Sequence, residues 1–203
     1  MLNENVRYPG GASRPGPVVE VTELLNQAGV GTVQMPCPEE RAWGGVRKTW
    51  LLRAVGVRRD WWFPLRGAAV SVGLAWTRLV YRHLARILVR QIRDYQRAGI
   101  EVVAVVGVGA SPSCGVLWTL DLPRAAESLA GVDTSTVTRE TFNRDVITSH
   151  VVGGRGLFMA ELAARLERAK VAVPLLEHSL LAELAGAPST VLPELARRCR
   201  FLA

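Results

Sequence analysis

The chain is poor in cysteine. Cys37, Cys114 and Cys199 are its only three, an odd number and widely spaced, which excludes a disulfide-stapled secreted scaffold. A reduced, cytoplasmic setting is expected, with cysteine kept for packing, redox or metal chemistry. The opening residues, MLNENVRYPGGASRPG, carry Asn, Gly and Pro but no apolar signal core. Gly67 to Thr77 is uncharged and largely apolar, but its 11 residues fall far short of the ~20 that a spanning helix needs. No repeat, low-complexity block, zinc finger or RNA-recognition motif is present. His83, His150 and His178 show no metal spacing such as HExxH, and no GxSxG marks a serine hydrolase.

What is present fits a globular protein. The 203 residues are 49% hydrophobic and 21% charged, enough for one domain with a sizeable core. Twenty-five basic residues against 18 acidic give a net charge of +7. Such a balance suits a solvated basic surface, a site that attracts anionic substrates, or contact with nucleic acid. The expected partner is a small molecule rather than nucleic acid, and no membrane.

Periodicity gives the fold class. Val18, Val21, Leu24, Leu25 and Ala28 lie at helical spacing within 17–28, and Gly29 stops the run. Gly31 to Cys37 is short, β-leaning and bounded by Gly and Pro, which predicts a strand, and 38–49 reads as a loop. A Trp-rich segment follows at 50–64. Leu65 to Ala98 is the strongest helix, with Leu65, Val72, Trp76, Leu79, Leu84, Ile87 and Ile92 among its apolar positions and Gly99 after it. Ile100 to Val108 is a β-branched run expected to form a central strand buried on both faces. Residues 116–150 read as an insertion or lid, 156–170 as a helix, Val171 to Val173 as a last short strand, and 189–199 as a weak helix. This alternation predicts a single α/β domain, a Rossmann-like parallel sheet flanked by helices, with a Trp-rich and helical insertion around 50–98. In such sheets ligands bind at the carboxyl ends of strands, where Cys37–Glu39 and Ser111–Gly115 are both expected.

Local motifs narrow the chemistry. Gly107-Val108-Gly109 follows a strand, but position 112 is Pro where a dinucleotide loop needs Gly. Val152 to Gly156 precedes a helix and reads as a flexible turn or as an anion cradle built from backbone N–H groups. Cys37 and Cys114 each enter a Pro/Gly turn, in Met35-Pro36-Cys37-Pro38-Glu39 and Ser111-Pro112-Ser113-Cys114-Gly115. Their context suits either structural thiols or a metal or redox role. Cys199 reads as incidental and His83 as a partly buried structural residue.

With Cys37-Pro38-Glu39 and Ser111-Pro112-Ser113-Cys114-Gly115, the chain resembles the 2-thiouracil desulfurase (desulfidase) family, in a divergent subgroup. The flanks agree: Asn3 to Gly10, Trp43-Gly44-Gly45 and Gly154-Arg155-Gly156-Leu157-Phe158. The resemblance spans roughly residues 2–180. It implies a [4Fe–4S] cluster held by three cysteines, two of which match Cys37 and Cys114. The family's first cysteine would sit just before Leu2, where this chain has Met1; the expectation is a reading frame that continues upstream through an apolar β-run ending in Cys. The resemblance further implies removal of sulfur from a thiocarbonyl, such as a thiolated pyrimidine base, with release of hydrogen sulfide. In that chemistry Glu39 would be the general base, on the same side of an extended segment as Cys37, and Ser111 would donate a hydrogen bond or relay a proton. For each there is a plainer alternative: a loop-surface carboxylate for Glu39 and a turn-forming hydroxyl for Ser111. A non-catalytic sensor, cluster- or thiol-based, or a basic RNA-associated protein are the rival functions.

Overall fold

A computed structural model describes residues 6–7, 11–12, 17–44, 63–128, 138, 141 and 143–200. Most of the Trp-rich segment 50–64 lies outside them. The chain opens with a two-residue pair, β1 (Val6–Arg7) antiparallel to β2 (Gly11–Ala12). Helix α1 (Val19–Gln27) follows, then α2 (Pro38–Trp43) and the 35-residue α3 (Phe63–Arg97). Strand β3 (Val105–Val108) leads to β4 (Trp118–Leu120) and α4 (Leu122–Ser128). A π-helical turn, Asn143–Ile147, runs into α5 (Thr148–His150) and β5 (Val151–Gly153). Helix α6 (Leu157–Arg168), β6 (Leu175–His178), α7 (Leu180–Leu184) and α8 (Leu192–Arg200) complete the order.

The centre is a parallel pair, β3 beside β6, in register from Val105 opposite Leu175 to Val108 opposite His178. Helices cover both faces. On one, Tyr81, Ala85, Val89 and Ile92 of α3 and Phe158, Met159, Leu162 and Leu166 of α6 pack with Val105 and Val116. On the other, Val21 and Leu25 of α1 with the preceding Val18, and Leu195 and Cys199 of α8 with the preceding Val191, pack against Val106 and Leu176. Cys199 is thus a core residue. A third cluster, of Ala110, Leu120, Ala125, Val146, Ile147 and Leu180, caps the carboxyl end of the pair. Mixed α/β architecture with a small parallel sheet is therefore what the described residues form.

Several expectations are corrected. Gly31–Cys37 forms no strand; Pro36 and Pro38 lack the N–H a ladder needs, and Cys37 caps α2 instead. Within the segment 38–49, expected as loop, Pro38–Trp43 is that helix. Of Ile100–Val108 only Val105–Val108 is paired, and among the described residues β3 pairs with β6 alone. The last strand is not Val171–Val173 but Leu175–His178: Pro174 does not end it but precedes it, its carbonyl accepting from Val105 N at 2.8 Å. Residues 116–150 are not simply irregular, since β4 pairs with β5 and closes a hairpin around them. His83 is exposed. Within α3, Val72, Trp76, Leu79 and Ile87 face outward, and the buried row is Thr77, Tyr81, Ala85, Val89 and Ile92, each three or four residues from the last. The helix ends as its glycine predicts: Gly99 takes φ +76° and Ile100 N donates to Tyr95 O at 2.9 Å.

Candidate functional site

Two short segments and one face of α3 make the site. The first begins at Cys37, whose φ of −64° and ψ of 118° place it as the N-cap of α2, with Pro38 at the first helical position. Proline there loses no bond, because that N–H has no intrahelical partner anyway. Glu39 and Glu40 fill the first turn, where carboxylates meet the positive end of the helix dipole. Glu39 is therefore set beside Cys37 by a helical turn, not by the extended segment expected. Gly44 closes the helix at φ +82°. Helix α2 is tied to α3 by Trp43, whose Nε1 donates to Thr77 Oγ1 at 2.6 Å, while Thr77 Oγ1 donates to Gly73 O at 2.7 Å. Trp76 Nε1 adds a bond to Ala42 O at 3.3 Å.

The second segment is the loop Ser111–Gly115, at the carboxyl end of β3. It folds back on its own strand, with Val108 N donating to Cys114 O at 3.1 Å and Gly115 N to Ser111 O at 3.1 Å. Ser111 Oγ accepts from the backbone N–H of Cys114 at 3.1 Å and of Ser113 at 3.3 Å. That is the turn-forming use of a serine hydroxyl. Close approach explains the glycines. A Cβ on Gly107 would collide with the Cys114 carbonyl oxygen, and one on Gly109 would lie 2.7 Å from Glu177 Oε1. The Gly-Val-Gly pair thus serves strand-to-loop packing.

The loop is clamped from two sides. Gly156 N donates to Gly115 O, Leu157 N to Pro112 O and Met159 N to Ser113 O, at 2.9, 2.9 and 3.0 Å. Three N–H groups at this helix start are thus spent on loop carbonyls, which favours the turn reading of Val152–Gly156 over an anion cradle. From β6, the buried Glu177 sends Oε2 to the backbone N–H of Val116, Leu117 and Trp118 at 2.7, 2.7 and 3.1 Å.

The two segments meet through Ser113, which is 1% exposed. Its hydroxyl donates to Glu39 Oε1 at 3.0 Å across 74 residues of sequence. The same oxygen lies 3.5 Å from Cys114 Sγ and 3.2 Å from Ser111 Oγ. Cys37 is exposed and Cys114 half-buried, so the site opens to solvent on the Cys37 side. Burial pushes the Cys114 thiol up to about 12; the Ser113 hydrogen bond opposes this, and the charges of Glu39 and Cys37 reinforce it. Tyr81 of α3 forms the floor, stacked edge-on against Phe158 at a centroid distance of 5.9 Å. Its phenol is raised well above the ordinary range, by burial first and then by Glu39, Cys114 and Cys37, with Ser113 pulling the other way.

The structure brings Cys37, Glu39, Ser111 and Cys114 to one place. Ser113 and Tyr81 are functional candidates that sequence reasoning missed. Ser113 lay inside the motif already singled out. Tyr81 was legible only as one of the two members with a hydroxyl, beside Thr77, of the row Thr77–Tyr81–Ala85–Val89. His178 lies elsewhere: buried at the end of β6, it holds Ser189 Oγ on Nδ1 and Glu183 Oε2 on Nε2, both at 2.9 Å. The open cleft lined by Gln96, Glu101, Pro174 and Arg198 is at the opposite end of the parallel pair and shares no residue with the site.

No family model, curated protein or solved structure matches the chain. The fit of a metal group therefore rests on the donors themselves. Cys37 and Cys114 are close enough for the charge of one to act on the other. They suit two of the three thiolate positions that a site-differentiated iron–sulfur cluster requires. Among the described residues no three His, Cys, Asp or Glu side chains form a metal-binding group. No helix of the described residues is long and apolar enough to cross a membrane.

Proposed function

We propose that the chain is a cytoplasmic, hydrolytic desulfidase of Rossmann-like architecture that removes sulfur from a small thiocarbonyl compound such as a thiolated pyrimidine base. The observation that carries this reading is the Glu39–Ser113–Cys114 chain of contacts, which places a carboxylate, a hydroxyl and a thiol of two remote segments in one solvent-accessible site. Cys37 and Cys114 would hold the iron–sulfur group, with a third ligand from outside the described residues. When bound, such a group supplies a soft iron position for a sulfur atom, without net electron transfer.

The residues of the chain do the acid–base work. Ser113 O–H fixes the Glu39 carboxylate by donating to Oε1. Glu39 takes a proton from water as the water oxygen bonds to the thiocarbonyl carbon. Glu39 returns that proton to the thiolate of the adduct; collapse then breaks the C–S bond and forms the carbonyl as the remaining hydroxyl proton passes through Glu39 to the departing hydrosulfide, which leaves as hydrogen sulfide. Ser111 holds the loop turn through two backbone N–H groups and stands 3.2 Å from Ser113 Oγ, so its contribution is positional.

The test is sulfide release from 2-thiouracil by the anaerobically reconstituted protein. Glu39→Gln is expected to lower turnover about 10²-fold, the scale of a lost general base, with iron content unchanged. Sulfide release by that variant at the wild-type rate would assign water activation elsewhere, and absence of any release by wild type defeats the reading. The exposed Cys37 near the half-buried Cys114 favours one second reading, a thiol-based sensor. That protein would release no sulfide, yet its two thiols would oxidise and re-reduce reversibly.

A further inference from the structure

The buried face of α3 presents an unexplained polar atom. Tyr81 is 1% exposed, and among the described residues its hydroxyl has no hydrogen-bond partner. Every other member of the row it belongs to is explained: Thr77 is bonded to Trp43 and Gly73, and Ala85, Val89 and Ile92 are apolar. A phenylalanine would fill the same volume against Phe158 without an orphan donor. Burying a hydroxyl unpaired is unfavourable, so a tyrosine here calls for a partner that the described residues do not supply.

The surroundings say what kind of partner. The ring packs in the cluster that also contains Met35, Ala42 and Cys114, directly beneath the meeting point of α2 and the Ser111–Gly115 loop. Ser113 is near enough to act on the phenol but makes no hydrogen bond to it, and its hydroxyl already donates to Glu39. Glu39 contributes an acceptor there, and the Ser113 hydroxyl is already used on it. The Tyr81 phenol supplies a donor that is not yet used. We propose that Tyr81 Oη is a ligand-binding donor that receives the carbonyl oxygen or thiocarbonyl sulfur of a small heterocycle entering between Cys37, Glu39 and Ser113. The inference deepens the desulfidase reading and rests on it for the chemistry of the heterocycle; the orphan hydroxyl stands independently of it.

Tyr81→Phe separates a ligand contact from a structural one. Two quantities are read on the full chain, purified anaerobically: the thermal midpoint without ligand, and the affinities for 2-thiouracil and for uracil by calorimetry. The expected result is an unchanged or raised midpoint, with affinity for both compounds weakened about five- to tenfold, the scale of one neutral hydrogen bond. A midpoint below wild type overturns the proposal whichever way binding moves, because the hydroxyl would then already be bonded in the empty protein. Equal affinity in variant and wild type also overturns it while leaving the desulfidase reading intact. Binding by wild type, weakened in the variant, with no sulfide released by either, upholds the Tyr81 contact and removes the desulfidase reading. Absence of binding of both compounds to wild type defeats the two together.

Discussion

Glu177→Ala should be the most damaging single change outside the site itself. One oxygen of Glu177 receives three backbone N–H groups, from Val116, Leu117 and Trp118, at 2.7, 2.7 and 3.1 Å. The residue is 8% exposed, so water has little access to replace it. Hydrogen bonds to a charged acceptor contribute about 1.5–3 kcal/mol each, but three bonds on one oxygen are not additive. Allowing for that, and for some inward movement of water, the loss is about 4 kcal/mol. For a chain of this length about 2–4 °C accompanies each kcal/mol, so the melting temperature should fall by roughly 8–16 °C. Glu177→Gln keeps an acceptor oxygen and should lose less than half as much. Because Val116–Trp118 continues directly from Cys114-Gly115, the alanine variant should also disorder the candidate site, visible as faster alkylation of Cys114 by iodoacetamide. The assay is a circular-dichroism melt at neutral pH paired with peptide mass spectrometry of the alkylated protein. An alanine variant that melts within 2 °C or so of wild type, on the same per-kcal scale, would show that the three N–H groups find other partners and would refute the clamp.

Two further outcomes follow from the same loop. Burial lifts the Cys114 thiol from 9.0 to about 12, so the fold favours its neutral form; that stabilisation is complete below about pH 9 and is lost as pH rises toward 12, at up to about 1.4 kcal/mol per unit. Urea midpoints should therefore drop more steeply above pH 9 in wild type than in Cys114→Ala, and parallel pH profiles would contradict the burial argument. Gly156→Ala should lower stability by about 1–3 kcal/mol, the cost of overpacking, since its Cβ would stand 2.5 and 2.6 Å from the Ser113 carbonyl carbon and oxygen; a chemical-denaturation curve superimposed on wild type would mean that the loop moves aside freely.

Local pattern was enough to determine much of this protein. The helices at 17–28, 65–98 and 156–170 were legible because apolar spacing, with a following glycine for the first two, is a property of neighbouring residues; they appear as Val19–Gln27, Phe63–Arg97 and Leu157–Arg168. The pairing of Cys37-Pro38-Glu39 with Ser111–Gly115 was likewise marked by turn chemistry at two places in the chain. Strand limits were not legible, because a β-branched run such as Ile100–Val108 states a preference while pairing needs a partner, and only Val105–Val108 has one among the described residues. Nor could periodicity show which side of α3 is buried: Trp76 and Leu79 are more apolar than Thr77 and Tyr81, yet α2 and α6 cover the second pair. Tertiary packing alone decided that Ser113 rather than Ser111 bonds Glu39, since adjacent loop hydroxyls point differently once the loop folds back on β3. It also decided that Glu177, 60 or so residues from the loop, is the acceptor that holds it, for a buried N–H takes whichever acceptor the fold brings to it.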